Sequence, residues 1–374
     1  VSAAPEASEV EAQRLEAQVF VALDRRLDPA AAAPIAVALS GGGDSLALLH
    51  LAVDWAAQRG RPVLALTVDH GLNPDSARWT AEAGEQARAL GAAWKGLSWT
   101  GEKPVAGLEA RARTARHALL GQAAREAGAR VILMGHSADD VREGEVMRDL
   151  DTPGLGRLRE WALSPAWPEG RNIFLLRPML NLRRAALRAW LARRGAHWLD
   201  DPANEDPRFA RVRARQALVP AHSRGSGVLG FGGAAAAAQA SIQASADVSH
   251  DLMALARAAV FAPGFAATPR APLFRGEPSV ARWVLTALVM SVGGATTPPR
   301  GEELDRLLET LRTGGVGTLS GCRVQATNTI VTLQREAGRQ GQPPRPEEPA
   351  AWVAQRFYAA CGLYPDEASI PPPP

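Results

Sequence analysis

Ile35-Ala36-Val37-Ala38-Leu39-Ser40-Gly41-Gly42-Gly43-Asp44-Ser45 is the stretch on which the fold turns. Its first five residues are apolar without alternation, the pattern of a short strand buried on both faces, as in a parallel sheet. From about Leu46 to Arg59 the pattern is helical. A Gly-rich turn between a buried strand and a helix aims several backbone N–H groups at one point, and the helix dipole adds positive potential there. Gly41, Gly42 and Gly43 let the backbone approach phosphate oxygens without a Cβ in the way. Ser40 and Ser45 add hydroxyl donors. Asp44 is the odd member, because a carboxylate beside phosphates is repulsive unless a cation or a reacting group uses it, and a place near Mg²⁺ is its natural reading. The GKS/T ending of a Walker loop is absent, and so is GxGxxG. The loop is expected to bind the phosphates of ATP at the mouth of an α/β sheet.

Working outward, Leu15, Val19, Leu23 and Leu27 mark an amphipathic helix over 12–27, within an N-terminal segment 1–30 that packs on the first domain. Val63-Leu64-Ala65-Leu66-Thr67-Val68 is a second buried strand, 76–90 a helix, 92–99 a further strand, and 107–127 a helix. Val131-Ile132-Leu133-Met134 is another buried strand. This alternation predicts an open doubly wound parallel α/β sheet over 31–220. Residues 221–246, rich in Gly, Ser and Ala, read as a linker. A second, mostly helical domain with a short hairpin at 318–333 is expected over 247–335. The Pro-rich end, 336–374, is expected to be disordered.

The 374 residues suffice for two domains, and an apolar fraction of 46% suffices for their cores. Lys95 and Lys103 are the only lysines, so the basic residues are nearly all Arg. That suits bidentate phosphate contacts, or else reflects a genome-wide bias towards Arg and Ala. Cys322 and Cys361 form no CxxC pair. No apolar run approaches the roughly 18 residues of a membrane span, and the acidic N-terminus is unlike a secretory signal. A cytoplasmic enzyme is expected.

Asp69-His70-Gly71 and Gly135-His136 end the second and a later strand, so both face the edge that carries the phosphate loop. Each histidine alone reads more readily as structural; their shared position at strand ends points to a rim site. Asp140 and Glu143 are three apart on a helix starting near Ser137 and share a face. Such a pair could hold Mg²⁺, a cationic substrate, or an amine that must lose a proton, or could be ordinary acid enrichment at a helix start. Arg113 and Arg116 also share a face; triphosphate, RNA phosphate and plain solvation are all open to them.

Taken together, the SGGGDS loop, Val68-Asp69-His70-Gly71-Leu72, Glu109 to Arg116, Gly135-His136-Ser137-Ala138-Asp139-Asp140, Arg177-Pro178-Met179-Leu180, Trp198 to Asn204 and Arg211 to Arg215 resemble the tRNA(Ile)-lysidine synthetase family of the N-type ATP pyrophosphatase (PP-loop) superfamily. The resemblance runs from about 35 to 216 and is only loose over 247–333. It implies an adenine nucleotide alpha hydrolase-like fold and a ligase that attaches free L-lysine to the wobble cytidine of an isoleucine tRNA. ATP adenylates the base at its C2 oxygen and releases pyrophosphate; the lysine amine then displaces AMP. On that resemblance Asp140 and Glu143 hold lysine and take a proton from its amine. Arg113 or Arg116 contacts ATP or the adenylated intermediate. The Arg-rich stretch 177–215 and the second domain contact tRNA phosphates. ATP is the co-substrate, Mg²⁺ accompanies it, and no membrane is involved.

The chain departs from the family pattern in places. Val141-Arg142-Glu143-Gly144 stands where the family usually has Gln-x-Glu-Thr after the Asp pair. Asp151-Thr152-Pro153-Gly154 replaces an Arg-Gly-Ser-Gly stretch, and His117 stands where an aromatic usually follows the second Arg. The departure at Val141 to Gly144 is the support for an alternative, a catalytically weakened nucleotide- or RNA-binding protein. A PP-loop tRNA sulfurtransferase is disfavoured, because both cysteines lie far from the loop.

Overall fold

The computed structural model describes residues 3–101, 103–104, 107–149, 158–166, 169–199, 254–275, 278–295, 298–336, 350–361, 364 and 366–370. The chain divides into two compact units: residues 1–223 with 365–374, and residues 224–364. The segments 200–215, with its Arg-Val-Arg run, and 221–246, expected as a linker, lie outside the described residues, as does 151–154.

The first unit is built on a six-stranded sheet in the order β3-β2-β1-β4-β6-β5. The strands are β1 (Ile35–Ala38), β2 (Val63–Asp69), β3 (Ala93–Ser98), β4 (Val131–Met134), β5 (Trp161–Leu163) and β6 (Phe174–Leu176). All pair in parallel except the edge strand β5, which runs antiparallel to β6. The helices are α1 (Ala3–Arg26), α2 (Gly43–Ala57), α3 (Ser76–Ala89), α4 (Leu108–Glu126), α5 (Ala138–Asp149) and α6 (Arg184–Arg193). Val131, Ile132, Leu133 and Met134 are all buried: their unbroken apolar run reflects covering on both faces of the sheet. On one face α2 buries Leu46, Leu48, Leu49, Leu51 and Trp55 together with Leu15, Val19, Leu23 and Leu27 of the N-terminal segment. On the other, Ala36, Leu66 and Ile132 pack with Leu120 and Ala124 of α4. The chain steps outward from β1 to β2 to β3, then returns to the far side of β1 for β4. The β1/β4 boundary is therefore the topological switch point, where open α/β sheets bind ligands beyond the carboxyl ends of the strands.

The second unit holds more strand than the expected hairpin. Its five-stranded sheet, in the order β7-β8-β11-β10-β9, is antiparallel throughout. The strands are β7 (Val260–Ala262), β8 (Phe265–Pro269), β9 (Val316–Leu319), β10 (Cys322–Ala326) and β11 (Ile330–Arg335). Helices α7 (Arg270–Arg275), α8 (Pro278–Gly293), α9 (Gly301–Arg312) and α10 (Ala350–Ala360) accompany it.

The Pro-rich end corrects an expectation. Part of it is ordered: Val353 and Phe357 of α10, with Cys361 just after it, are buried in the core of the second unit. Farther on, Glu367 is buried against Arg61 of the first unit. The prolines cluster at 343–349 and 371–374, leaving 350–361 an apolar stretch that can pay its ordering entropy by burial.

Candidate active site

The phosphate loop is braced by its own hydroxyls. Ser40 N–H donates to Ser45 Oγ at 3.1 Å, and Ser45 Oγ–H donates to the Gly42 carbonyl at 2.8 Å. The two hydroxyl oxygens lie 3.0 Å apart, so with the Ser45 proton directed at Gly42, Ser40 is the donor of that pair. Both serines, expected as phosphate donors, make these hydrogen bonds within the loop. Gly41 has φ 83°, a left-handed conformation open to glycine. No described side chain caps α2, so its first-turn N–H groups face the position where an anion is stabilised. Gly135, at the end of β4, permits the close packing of strand end on loop: a Cβ there would lie 3.0 Å from Ser45 Cα.

Beside the loop stands an acidic cluster around one arginine. Arg184 Nε is 2.9 Å from Asp44 Oδ2, Nη1 is 3.1 Å from Glu143 Oε1 and Nη2 is 3.4 Å from Asp140 Oδ1. Asp140 arrives there as part of a capping box: its Oδ2 accepts the Ser137 N–H at 2.8 Å and the Ser137 hydroxyl at 2.9 Å. The helix-start role of Asp140 and its place in the cluster are thus the same geometry. Asp139 Oδ2 accepts the Arg184 N–H at 2.7 Å, tying α6 to α5. Glu143 is 2% exposed. Burial raises the pKa of Asp44 above the ordinary carboxylate range, with Arg184 pulling the other way and Asp140 adding to the rise. Asp44 Oδ1 is buried and accepts no hydrogen bond from the described residues.

The structure brings Asp44, Asp140 and Glu143 together and sets the histidines around them along the same sheet edge. His136 is buried, and its Nδ1 accepts a hydrogen bond from Arg177 Nε at 3.3 Å. That bond places the ring proton of a neutral His136 on Nε2. His70 is half-buried; burial lowers its pKa, and Arg116 adds to the lowering, which puts the guanidinium of α4 within electrostatic reach of the β2 end. Asp69 turns its carboxylate to its own loop, accepting the Gly71 N–H at 2.8 Å. Arg113 is exposed on α4. Burial drives the His117 pKa down to about 2, and the charges of Arg116, Arg113 and Arg177 add to the lowering.

Three arginines of the stretch expected on tRNA have partners within the chain. Arg177 is 6% exposed; its Nη1 donates to the Arg159 carbonyl at 2.8 Å, and burial lowers its pKa to about 10. Arg184 sits among the carboxylates. Arg194 pairs with Glu16 and Asp54. A basic run in sequence does not separate arginines facing solvent from those that carboxylates draw inward. Arg184 was missed as a site residue for that reason, and the signal for it was the acid pair with no basic partner on its own helix.

Asp44 fits a Mg²⁺ ion, given its buried acceptor oxygen and a neighbouring carboxylate. Mg²⁺ is characteristically held by one or two carboxylates with phosphates and waters; no group of three or more possible metal ligands stands among the described residues. Cys322 and Cys361 are buried in the second unit, and burial pushes both thiols up to about 12, which leaves neither a thiolate at neutral pH. No described helix is long and apolar enough to cross a membrane.

The family model of the PP-loop domain matches residues 15–222. A tRNA(Ile)-lysidine synthase of Caulobacter vibrioides is 47% identical over 328 residues, 86% of this chain and 71% of the relative. Those of Hyphomonas neptunium and a Bradyrhizobium species are 37% and 35% identical, over 91% and 83% of this chain and 89% and 90% of theirs.

Proposed function

The chain belongs to the tRNA(Ile)-lysidine synthase family of PP-loop proteins, and from that premise we propose how its residues carry out an ATP-dependent ligation on tRNA. The reaction is the conversion of the wobble cytidine of an isoleucine tRNA to lysidine. In the first step the C2 oxygen of the base bonds to the α-phosphorus of ATP and pyrophosphate leaves. In the second the lysine amine bonds to C2, AMP leaves with the oxygen, and the amine gives up a proton.

The observation that carries the assignment of roles is the meeting of the phosphate loop with the Asp44–Asp140–Glu143 cluster at the switch point of the sheet. Backbone N–H groups at the start of α2 hold the phosphates. Arg113 and Arg116 of α4 stabilise charge developing at the leaving group. Asp44, through its buried Oδ1, is the residue that would hold Mg²⁺, which supplies neutralisation of pyrophosphate. Asp140 and Glu143 bind the cationic lysine and accept the proton of its attacking amine. His136, with its proton on Nε2, is an uncharged donor at the same edge, and His70 and Asp69 border it. The second unit contacts tRNA phosphates, and a cytoplasmic location follows from the substrate.

The test is pyrophosphate release from ATP with and without L-lysine, on a tRNA(Ile) carrying cytidine at the wobble position and on the same tRNA with that base replaced. Release is expected only with the matched tRNA, with lysidine formed when lysine is present. Folded, ATP-binding protein that releases none would leave the catalytically weakened binding protein as the reading.

A further inference from the structure

Arg184 joins elements that the sequence keeps apart. Asp44 belongs to the phosphate loop, whereas Asp140 and Glu143 belong to α5, and each nitrogen of one guanidinium faces a different member of the three. The arginine is held from behind as well, because its own N–H donates to Asp139 on α5. Its side chain is only 19% exposed. A planar fork with fixed N–H directions can set the spacing of three carboxylates at once; a lysine ammonium, a point charge on a flexible stem, cannot.

Among the described residues a second arginine at the start of α6, Arg183, lies 3.4 Å from Asp139, so this helix end grips the acids of α5 twice while Arg184 also reaches the phosphate loop.

We propose that Arg184 is a positioning residue for the ligation, a three-way clamp that fixes the phosphate-loop carboxylate against the carboxylate pair of α5, so that the activated base and the incoming amine are held in register. This rests on the reading of Asp140 and Glu143 as the amine-binding pair. A clamp of this kind acts on the amine-transfer step, where a misplacement of about 1 Å costs on the order of a hundredfold in rate.

The experiment compares wild type, Arg184→Met and Arg184→Lys in lysine- and tRNA-dependent turnover, with kcat and KM for lysine measured separately. Thermal unfolding is followed in parallel, and guanidinium chloride at non-denaturing concentration is added back. Arg184→Met is expected to lower kcat/KM for lysine by at least about thirtyfold, mostly in kcat. Free guanidinium should restore part of the loss in Arg184→Met and do nothing for wild type. Arg184→Lys should recover only a minor part, since it keeps the charge and loses the fork. Unchanged kinetics in Arg184→Met overturns the proposal. So does a fall in its KM for lysine, which would make Arg184 a competitor of the amine. If Arg184→Met does not fold, Arg184→Lys decides: wild-type kinetics there overturns the clamp. Absence of lysine-dependent turnover in wild type would instead sink the reading of the site on which the proposal rests.

Discussion

The parallel sheet buries an arginine against carboxylate at each of its two ends, and the two arrangements are opposite in kind. At the amino ends of β1 and β2, Arg61 meets Glu367 in a two-pronged pair at 2.7 and 2.5 Å, with side chains 1% and 3% exposed. Its remaining donors reach the carbonyls of Ala33 and Asp28, and Asp28 N–H donates to Glu367. One charge meets one charge and the surrounding polar atoms are satisfied. At the carboxyl ends, Arg184 meets three carboxylates, and Asp44 Oδ1 receives no donor from the described residues. Balance at the base of the sheet makes a structural lock. Several acids about one arginine at its mouth are what supports the cation site proposed above.

Removing an acid from each end should separate the two roles. Asp44→Asn is expected to have the largest effect, lowering lysine-dependent turnover by about a thousandfold. It should change stability by no more than ~1 kcal/mol, because Arg184 keeps two carboxylates. Steady-state kinetics with urea unfolding checks both halves, and a large stability loss would erase the contrast.

Glu367→Ala should do the reverse. It strands a buried guanidinium and is expected to cost about 3–5 kcal/mol, while the activity of the folded fraction is unchanged. The apolar exchange Arg61→Met with Glu367→Leu should recover most of that loss, since it removes both charges together. A double variant as unstable as Glu367→Ala would show that the pair does more than balance itself.

The smallest effect concerns a buried group that follows neither pattern. His117 is 4% exposed, and among the described residues neither of its ring nitrogens has a hydrogen-bond partner. His117→Phe is expected to stabilise the protein by about 1 kcal/mol at pH 7, by removing orphaned polar atoms. The gain should widen on acidification. In the unfolded chain the imidazole takes a proton near 6.5, whereas the folded one resists protonation down to about 2. Wild type therefore loses stability as the pH falls below 6.5, by up to about 1.4 kcal/mol per pH unit from this group, and the variant is spared that loss. Melting temperatures of the two proteins from pH 7 to pH 5 measure the difference; parallel curves would contradict it.

Most of the first unit could be read from residue order. Unbroken apolar runs such as Val131 to Met134 declare strands covered on both faces, and SGGGDS between such a run and a helix declares an anion site. Asp140 and Glu143 were legible as a pair because helical spacing is local. The short β5 and β6 were not. Each is three residues long, too short for a periodicity; β6 is held by pairing with β4, far back in the sequence, and β5 only by pairing with β6. The buried end of the chain was hidden too, because prolines on either side of residues 350–370 dominate its composition.

What the sequence by itself determined is the local chemistry: a turn whose glycines admit a phosphate, carboxylates three apart on a helix face, and strand ends that carry histidine. These follow from backbone geometry and periodicity, which act over a few residues. Only the tertiary structure decided which arginine faces which acid. Arg177 went beneath His136, Arg184 went among Asp44, Asp140 and Glu143, and Arg61 found Glu367 some three hundred residues away. Ion pairing depends on distance and burial in space, and neither is written in the spacing of residues along a chain.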